Sequence, residues 1–164
     1  MEFNLKITVL LFGIVCTGLT AGLCFTWTNA VTTGLSKVDD ITFLKSFQAI
    51  NRTILNPTFF IVFLSPVFTL FINAFLHRNS NSKSFWLFLV AAILFFVGVG
   101  LVTVFKNVPL NEILDKAALE NLSEVDLKKL RIQFENSWKQ WHLVRTITSF
   151  IAFVLLLIGL TINK

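Results

Sequence analysis

Six residues near the carboxyl end of the chain have the types and the spacing of a polar pocket wall. On a helix, at 100° per residue, they fall within an arc of about 80°. The six are Arg131, Glu135, Trp138, His142, Arg145 and Ser149. Together they offer hydrogen-bond donors, acceptors and one histidine that can exchange a proton near neutral pH. We therefore expect one helix face to carry a site at which a proton can be transferred.

Four amide side chains are predicted to lie on the same side of the membrane as this helix face. Gln48 and Asn51 share a face of the segment that precedes the second apolar stretch. Asn107 and Asn111 bracket Pro109, directly after the third apolar stretch. Amides that converge with a histidine and an arginine form the polar part of a small-molecule pocket.

A simpler interpretation needs no pocket. Glu135 can pair with Arg131 one turn away, and Arg145 can extend its charge toward the membrane interface. Trp138 and Trp141 can belong to an interfacial belt of tryptophans, and single amides at helix ends are often caps. The coincidence of so many polar groups on one side favours the pocket, with the two tryptophans covering it.

Other chemistries fit the sequence less well. Cys16 and Cys24 are eight residues apart in one apolar stretch, about 12 Å on a helix, which is too far for a disulfide. A haem held by two histidines is disfavoured because His77 and His142 are predicted on opposite membrane sides. Glu135 and His142 are seven residues apart, a poor spacing for two metal ligands on one helix. We expect no metal and no cofactor.

The composition is that of an integral membrane protein. The chain has 164 residues, of which 55% are hydrophobic and 19 are Phe, against roughly 45–50% apolar residues in soluble domains. Lys and Arg outnumber acidic residues by five, but they are scattered between apolar stretches and form no basic face for a nucleic acid. The lipid bilayer is therefore the expected partner, and nucleic acid is not.

Four apolar stretches predict an all-α, polytopic membrane four-helix bundle that forms a single domain over residues 1–164. The expected spans are residues 7–27, 58–76, 85–105 and 143–162. Gly18 and Gly22 form a pair of small residues that suits close helix packing in the first span. Pro66 interrupts the second span, so a neighbouring helix must satisfy the carbonyl group that it leaves free.

The connecting segments also carry signals. Residues 32–40 predict a polar hinge, and residues 41–56 an amphipathic helix at the membrane interface that ends before Pro57. Pro109 is expected to end the third helix. Ser123, followed three residues later by Asp126, predicts the start of a helix that continues without Pro or Gly into the fourth span. The fourth helix therefore extends out of the bilayer.

The distribution of basic residues predicts the orientation. Arg78 and Lys83 lie in a short loop without acidic residues, and Lys6 and Lys164 lie near the termini. These positions favour cytoplasmic termini. The amide-bearing segments then face outward together.

Three sequence blocks are similar to a known family. They are Gln48-Ala49-Ile50-Asn51-Arg52-Thr53-Ile54-Leu55-Asn56-Pro57, Asn107-Val108-Pro109-Leu110-Asn111, and Trp138-x-x-Trp141-His142-x-x-Arg145-Thr146. With the Gly22-Leu23-Cys24-Phe25-Thr26 exit of the first helix, they resemble the anthrone oxygenase-like family of small membrane proteins, and they occur in the family's order. Since the family includes bacterial members, the resemblance points to the bacterial inner membrane.

The resemblance implies oxidation of a lipophilic anthrone or polycyclic phenol by dioxygen without a cofactor. The catalytic residues it implies are His142 as the base, Glu135 as a group that orients it, and Arg145 as a donor to the enolate oxygen. The substrate-binding residues it implies are Gln48, Asn51, Asn107, Asn111, Trp138 and Trp141. The alternative is a non-catalytic membrane protein that binds a lipophilic molecule or serves as a subunit of a larger complex.

Overall fold

The computed structural model describes residues 5–79 and 82–162, and within these ranges the chain is all-helical, without strands. Its five helices are α1 (Leu5–Leu35), α2 (Asp40–Ile54), α3 (Pro57–His77), α4 (Ser82–Lys116) and α5 (Glu124–Ile162). A short 3₁₀ turn, Leu119–Asn121, lies between α4 and α5. All except α2 are long and apolar enough to cross a membrane. The predicted four-helix membrane bundle, with a helix before the second span and a long fourth span, is confirmed.

Side-chain caps set where three of the helices begin. Asp39 accepts a hydrogen bond from the backbone N–H of Thr42 (3.0 Å) at the start of α2, and this bond holds the pKa of Asp39 below its ordinary value. Asn56 accepts from the backbone of Phe59 (3.0 Å), directly before Pro57 opens α3. At the predicted start of α5, Ser123 accepts from the backbone of Asp126 (3.2 Å). The connections are therefore fixed locally by sequence.

Each long helix runs antiparallel to the long helix before it in the chain, and the four helices enclose two separate cores. At one end, around the α3–α4 turn, aliphatic and phenylalanine side chains such as Leu70, Phe88 and Leu156 are fully buried; we call this the closed end. At the other end, α2 lays one face, with Phe43 and Phe47, against α1 and α5. This second core is largely aromatic: Trp27 and Phe47 have ring centroids 5.3 Å apart. The amphipathic character predicted for α2 is confirmed.

The polar hinge after the first span is shorter than predicted. Helix α1 continues past Trp27 through a π-helical turn, Trp27–Val31, and one further α-helical turn to Leu35. The hydroxyl of Thr32 donates to the carbonyl of Trp27 (3.0 Å), so a residue that was expected in the hinge stabilises the helix instead. Only residues 36–39 connect α1 to α2.

The prediction that Pro109 ends the third helix is wrong, because α4 continues to Lys116. Two π-helical segments, Phe96–Leu101 and Thr103–Asn107, precede a return to α-helical geometry at Val108. Pro109 therefore occupies the first turn of a new hydrogen-bonding register, where its missing N–H costs least. Such π segments are frequent at functional sites.

Helix α1 satisfies the carbonyl group that Pro66 leaves free in α3. Pro66 has no N–H to donate to Val62, four residues earlier. The hydroxyl of Thr20 donates to that carbonyl (3.3 Å), as the sequence required of a neighbouring helix. The hydrogen bond also joins α1 to α3 within the apolar part of the bundle.

Only one glycine of the predicted small-residue pair lies at a helix contact. A Cβ atom at Gly18 would come within 2.8 Å of the Phe153 ring, so α1 and α5 approach closely there. Gly22 is exposed, and a Cβ atom there would meet nothing within 4 Å. The buried face of α1 has by then moved to Ala21 and Cys24. Both cysteines are buried free thiols.

Candidate functional site

A cavity of about 520 Å³ lies between the helices on the α2 side of the bundle. Residues from α1, α2, α3, α4 and α5 line it, and most of these residues are apolar. The volume lies within the range of about 300–1,000 Å³ that is usual for small-molecule sites. We call this half of the bundle the cavity end.

Six of the nine predicted site residues line this cavity. They are Asn51, Asn107, Asn111, Trp138, His142 and Arg145. The predicted face of α5 is buried from Trp138 through His142 and Arg145 to Ser149. This face therefore contacts protein and the cavity, as the sequence required of polar residues at this depth.

His142 is oriented by two contacts. Its ring stacks on Trp138, with centroids 4.5 Å apart and ring planes 13° from parallel. Its Nε2 atom lies 3.1 Å from the backbone carbonyl oxygen of Cys24 on α1. Because a carbonyl only accepts, Nε2 carries the hydrogen, which leaves the lone pair on Nδ1. Nδ1 is buried and has no hydrogen-bond partner among the described residues.

Arg145 lies one turn deeper than His142 along α5 and is 8% exposed. Its guanidinium group lies 5.4 Å from the centroid of the Phe63 ring and interacts with the Cys24 thiol. Its Nε atom has no hydrogen-bond partner, and no carboxylate in the described ranges forms an ion pair with it. A buried guanidinium without an anion is unusual, because burial of a charge is costly unless the charge is paired.

Three asparagine side chains, Asn51, Asn107 and Asn111, form a second polar region of the cavity wall, near Trp138. The indole Nε1 of Trp138 donates to Oδ1 of Asn111 (2.8 Å), and Nδ2 of Asn107 donates to the backbone carbonyl of Trp138 (3.3 Å). Oδ1 of Asn107 and Nδ2 of Asn51 are both buried and have no partner among the described residues. Two buried polar atoms of residues that line the cavity are therefore left without a hydrogen-bond partner, one an acceptor and one a donor.

We place the mouth of the cavity between α3 and α4, because the exposed apolar lining lies there. Six apolar lining side chains are also exposed on the outer surface of the bundle: Leu55 before α3, Phe60 and Leu64 of α3, and Phe96, Val104 and Val108 of α4. The exposed charged residues of the lining, Arg52, Glu112 and Asp115, are at the α2 end, where Arg52 pairs with Asp115 at 2.5 Å. An apolar molecule can thus reach the cavity sideways from lipid.

Comparison with known families agrees with the resemblance seen in the sequence. The family model described as "Anthrone oxygenase" matches residues 43–155, which is more than half of the chain. The chain belongs to the anthrone oxygenase family. The matched range contains all nine predicted site residues and begins before the carboxyl end of α2. No curated protein and no solved structure matches the chain.

Three residues predicted for the site of this family member lie elsewhere. Gln48 donates through Nε2 to the carbonyls of Leu114 (2.6 Å) and Ala117 (3.1 Å), so it caps the carboxyl end of α4. Its long side chain reaches backbone groups that a helix end leaves without partners. Gln48 does not line the cavity.

Glu135 and Trp141 are also outside the lining. The Glu135 carboxylate pairs with Arg131 (2.9 Å) and with Lys139, both one turn away on α5. The orienting contact that was expected from Glu135 is made instead by the Cys24 carbonyl. Trp141 lies on a neighbouring face of α5, with the Lys106 ammonium group 4.8 Å from its ring centroid.

Sequence reasoning missed the contribution of α1 and α3 to the site. Cys24 supplies a carbonyl to His142 and a thiol beside Arg145, and Phe63 supplies an aromatic face to Arg145. The carbonyl contact leaves no trace in residue type, and Phe63 is one of 19 phenylalanines. Cys24 does lie in the Gly22–Thr26 block that resembles the family, which was the available signal.

The site also differs from a metal centre. Within the described ranges, no three His, Cys, Asp or Glu side chains come together in a way that could hold a metal ion. His142 and the Cys24 thiol are the two potential ligands near Arg145, and the neighbouring guanidinium would repel a cation. The site is instead a mostly apolar cavity with a histidine, an arginine and three asparagines in its wall.

Proposed function

We propose that this protein is a membrane oxygenase that oxidises a lipophilic anthrone or polycyclic phenol with dioxygen, without a cofactor. The observation that carries the proposal is the His142 ring, held by α1 in the tautomer that leaves Nδ1 free, in the wall of an apolar cavity. A base beside a dry binding site is the main requirement of this chemistry. The family match supports the same reaction class.

The proposed reaction begins with removal of one proton from the methylene carbon of the anthrone by Nδ1 of His142. The carbanion, which is also an enolate, transfers electrons to dioxygen, and a carbon–oxygen bond forms to give a peroxide anion. The peroxide anion takes the proton back from His142 and becomes a hydroperoxide. Loss of water from the hydroperoxide gives the second carbonyl group. Anthrone and one O₂ thus give anthraquinone and one H₂O, so dioxygen is the only oxidant needed.

The polar residues of the cavity have separate roles in this proposal. Arg145 is a fixed cation that stabilises negative charge on the oxygens of the substrate, including the charge of the enolate. The free N–H of Asn51 adds a donor, and the free carbonyl oxygen of Asn107 accepts a hydrogen bond from a substrate hydroxyl. Trp138 holds His142 in place by stacking. The apolar walls strengthen these electrostatic interactions, because they exclude water.

We further propose that the termini lie in the cytoplasm and that the cavity end faces outward in a bacterial inner membrane. The start of α1, the α3–α4 turn and the end of α5 share one end of the bundle. Lys6, Arg78 and Lys83 at this end support the orientation. Lys164, which belongs to the same argument, lies outside the described residues.

Oxygen uptake by the purified protein in detergent tests the proposed reaction. A simple anthrone such as dithranol is the substrate, and the rate without protein is subtracted. We expect His142→Gln to lower turnover by about tenfold to a thousandfold. His77→Gln is the matched control, since His77 is the other histidine, lies at the closed end and does not line the cavity.

The outcomes separate the enzyme from its alternative. Uptake that His142→Gln abolishes and His77→Gln preserves supports His142 as the base. Equal turnover in the wild type and in His142→Gln contradicts that role. A wild-type protein that binds the anthrone but does not accelerate its oxidation contradicts the oxygenase and supports a non-catalytic binding protein.

A further inference from the structure

Arg145 is the most unusual charged residue in the described structure. Its side chain is more than nine-tenths buried, it lines the cavity, and its Nε atom has no hydrogen-bond partner. Arginine stays charged in proteins. A buried positive charge without a counter-ion is expensive, so the site is electrostatically incomplete as it stands.

The other charged groups of the cavity are already paired or are not anions. The titratable residues among the lining are Cys24, Arg52, Glu112, Asp115, His142 and Arg145. Asp115 pairs with Arg52 at 2.5 Å, and Glu112 lies 3.6 Å from Lys116. All four of these side chains are at least half exposed, so both ion pairs lie at the surface. No acidic residue in the described ranges is therefore left to neutralise Arg145.

We infer that the natural ligand is a flat lipophilic acid that binds as its oxyanion, with the charged oxygen at Arg145. This inference rests on the proposed function and specifies its substrate: a polycyclic phenol that is ionised before any proton is taken from carbon. The ligand completes the ion pair that the protein lacks. Its apolar body occupies the walls formed by residues such as Phe63 and Val67.

The polar groups around Trp138 determine the orientation of the ligand in the cavity. Trp138, with its bonds to Asn107 and Asn111, is seven residues before Arg145 on α5, roughly 10 Å along the helix. A rigid ligand whose oxyanion contacts Arg145 therefore places a neutral oxygen substituent near the free groups of Asn51 and Asn107. The cavity thus favours ring systems with oxygen substituents at both ends.

A coloured ligand that cannot be oxidised tests this inference separately from turnover. In 2-hydroxyanthraquinone the reactive carbon is already a carbonyl, and the phenol and its phenolate absorb at different wavelengths. We expect the bound dye to ionise at a pH about 1–3 units lower than the dye in empty detergent micelles, because an opposite charge within contact distance favours the phenolate. Arg145→Gln should remove this shift, and each unit lost corresponds to a tenfold weaker preference for the anion.

Two controls isolate the charge of Arg145. Lys106→Gln removes a positive charge from an exposed residue that does not line the cavity, so the shift should remain. 2-Methoxyanthraquinone has nearly the same shape but cannot ionise, so it should bind equally well to the wild type and to Arg145→Gln. Arg145→Lys, which retains the charge, should preserve much of the shift and serves if Arg145→Gln does not fold.

Each result tests the oxyanion-binding inference independently of the proposed oxygenase activity. An ionisation pH in the wild type equal to that in micelles overturns the oxyanion site, and so does a shift that persists in Arg145→Gln. Oxygen uptake that depends on His142 would still stand in either case. A shift that depends on Arg145 in a protein without oxygen uptake supports the ligand class and contradicts only the reaction.

Discussion

The two histidines mark the two ends of the bundle, and their surroundings differ. At the closed end, Nδ1 of His77 lies 2.8 Å from the carbonyl of Asn73 in its own helix, and its ring meets the edge of Phe88. At the cavity end, His142 bonds across the bundle to Cys24 of α1 and keeps Nδ1 without a partner. One histidine is satisfied by its own helix, whereas the other depends on two helices keeping their positions.

The difference shows how one bundle combines a stable half with a reactive half. Apolar contacts close the end around Phe88, where the helices approach closely enough to leave no space at Gly159. The cavity end has space instead, and it is held by an ion-pair network and an aromatic core at its outer edge. Unpartnered ionisable groups are tolerated there because the rest of the structure fixes the helices.

The largest expected loss of stability follows from a mutation in the ion-pair network that supports the cavity end. Arg131 is 12% exposed in its side chain and bonds to Glu135 and Asp40, each at 2.9 Å, and to the carbonyls of Ser36 and Val38, each at 2.8 Å. Arg131→Met removes this donor from Asp40 and the two carbonyls and leaves Glu135 with Lys139 alone, and we expect it to lower the free energy of unfolding by about 3 kcal/mol. Thermal unfolding in detergent, followed by circular dichroism, measures this loss.

An exposed ion pair provides the control for Arg131. Lys45 lies 2.7 Å from Glu120, but the two side chains are 48% and 77% exposed. Lys45→Met should cost less than about 1 kcal/mol. Equal losses for Arg131→Met and Lys45→Met would show that burial of the network does not hold the cavity end together.

A pair of glycines tests the contrast in packing between the two ends. A Cβ atom at Gly159 would overlap the ring of the fully buried Phe88, so Gly159→Ala should cost about 1–3 kcal/mol through overpacking. At Gly100, which lines the cavity, the nearest atoms would be 3.9 Å away. Gly100→Ala should leave stability unchanged or raise it slightly. The unfolding temperatures of the two variants are measured side by side. Equal decreases would contradict the difference in packing between the two ends.

Apart from the control variants, the smallest expected loss of stability is at the helix cap formed by Gln48. Gln48→Leu removes two hydrogen bonds to the last turn of α4, and about 1 kcal/mol of stability should be lost. Because Gln48 does not line the cavity, the affinity for 2-methoxyanthraquinone should not change. A large loss of affinity in a stably folded Gln48→Leu protein would place Gln48 in the binding site after all.

The elements of the fold could be predicted from sequence because they depend on local patterns. Apolar stretches give the spans, Ser123 gives the start of α5, and the Pro66 gap required the partner that Thr20 supplies. Pro109 misled the prediction because a proline normally marks a helix end, and the π-helical segment that accommodates it has no clear sequence signature. Register changes of this kind depend on packing.

The polar face of α5 could be predicted from helical periodicity, but the partners of its residues could not. Periodicity places Glu135 and His142 on one face of the helix, yet the closest charges to Glu135 are Arg131 and Lys139 of its own helix. The contact between His142 and α1 spans 118 positions of the chain. Contacts at such separations follow from helix rotation and crossing, which the residue pattern of one helix does not determine.

The position of the cavity mouth determines how the amount of ligand should be counted. Because Phe60, Leu64, Phe96 and Val104 surround the opening and face outward, molecules dissolved among the acyl chains meet it directly. The relevant concentration is then the mole fraction of ligand in the membrane or micelle. For a strongly partitioning compound, added detergent dilutes the ligand that the protein encounters even when the total concentration in the tube is constant. Apparent affinities for this site are therefore properties of the protein and of the surrounding lipid phase together.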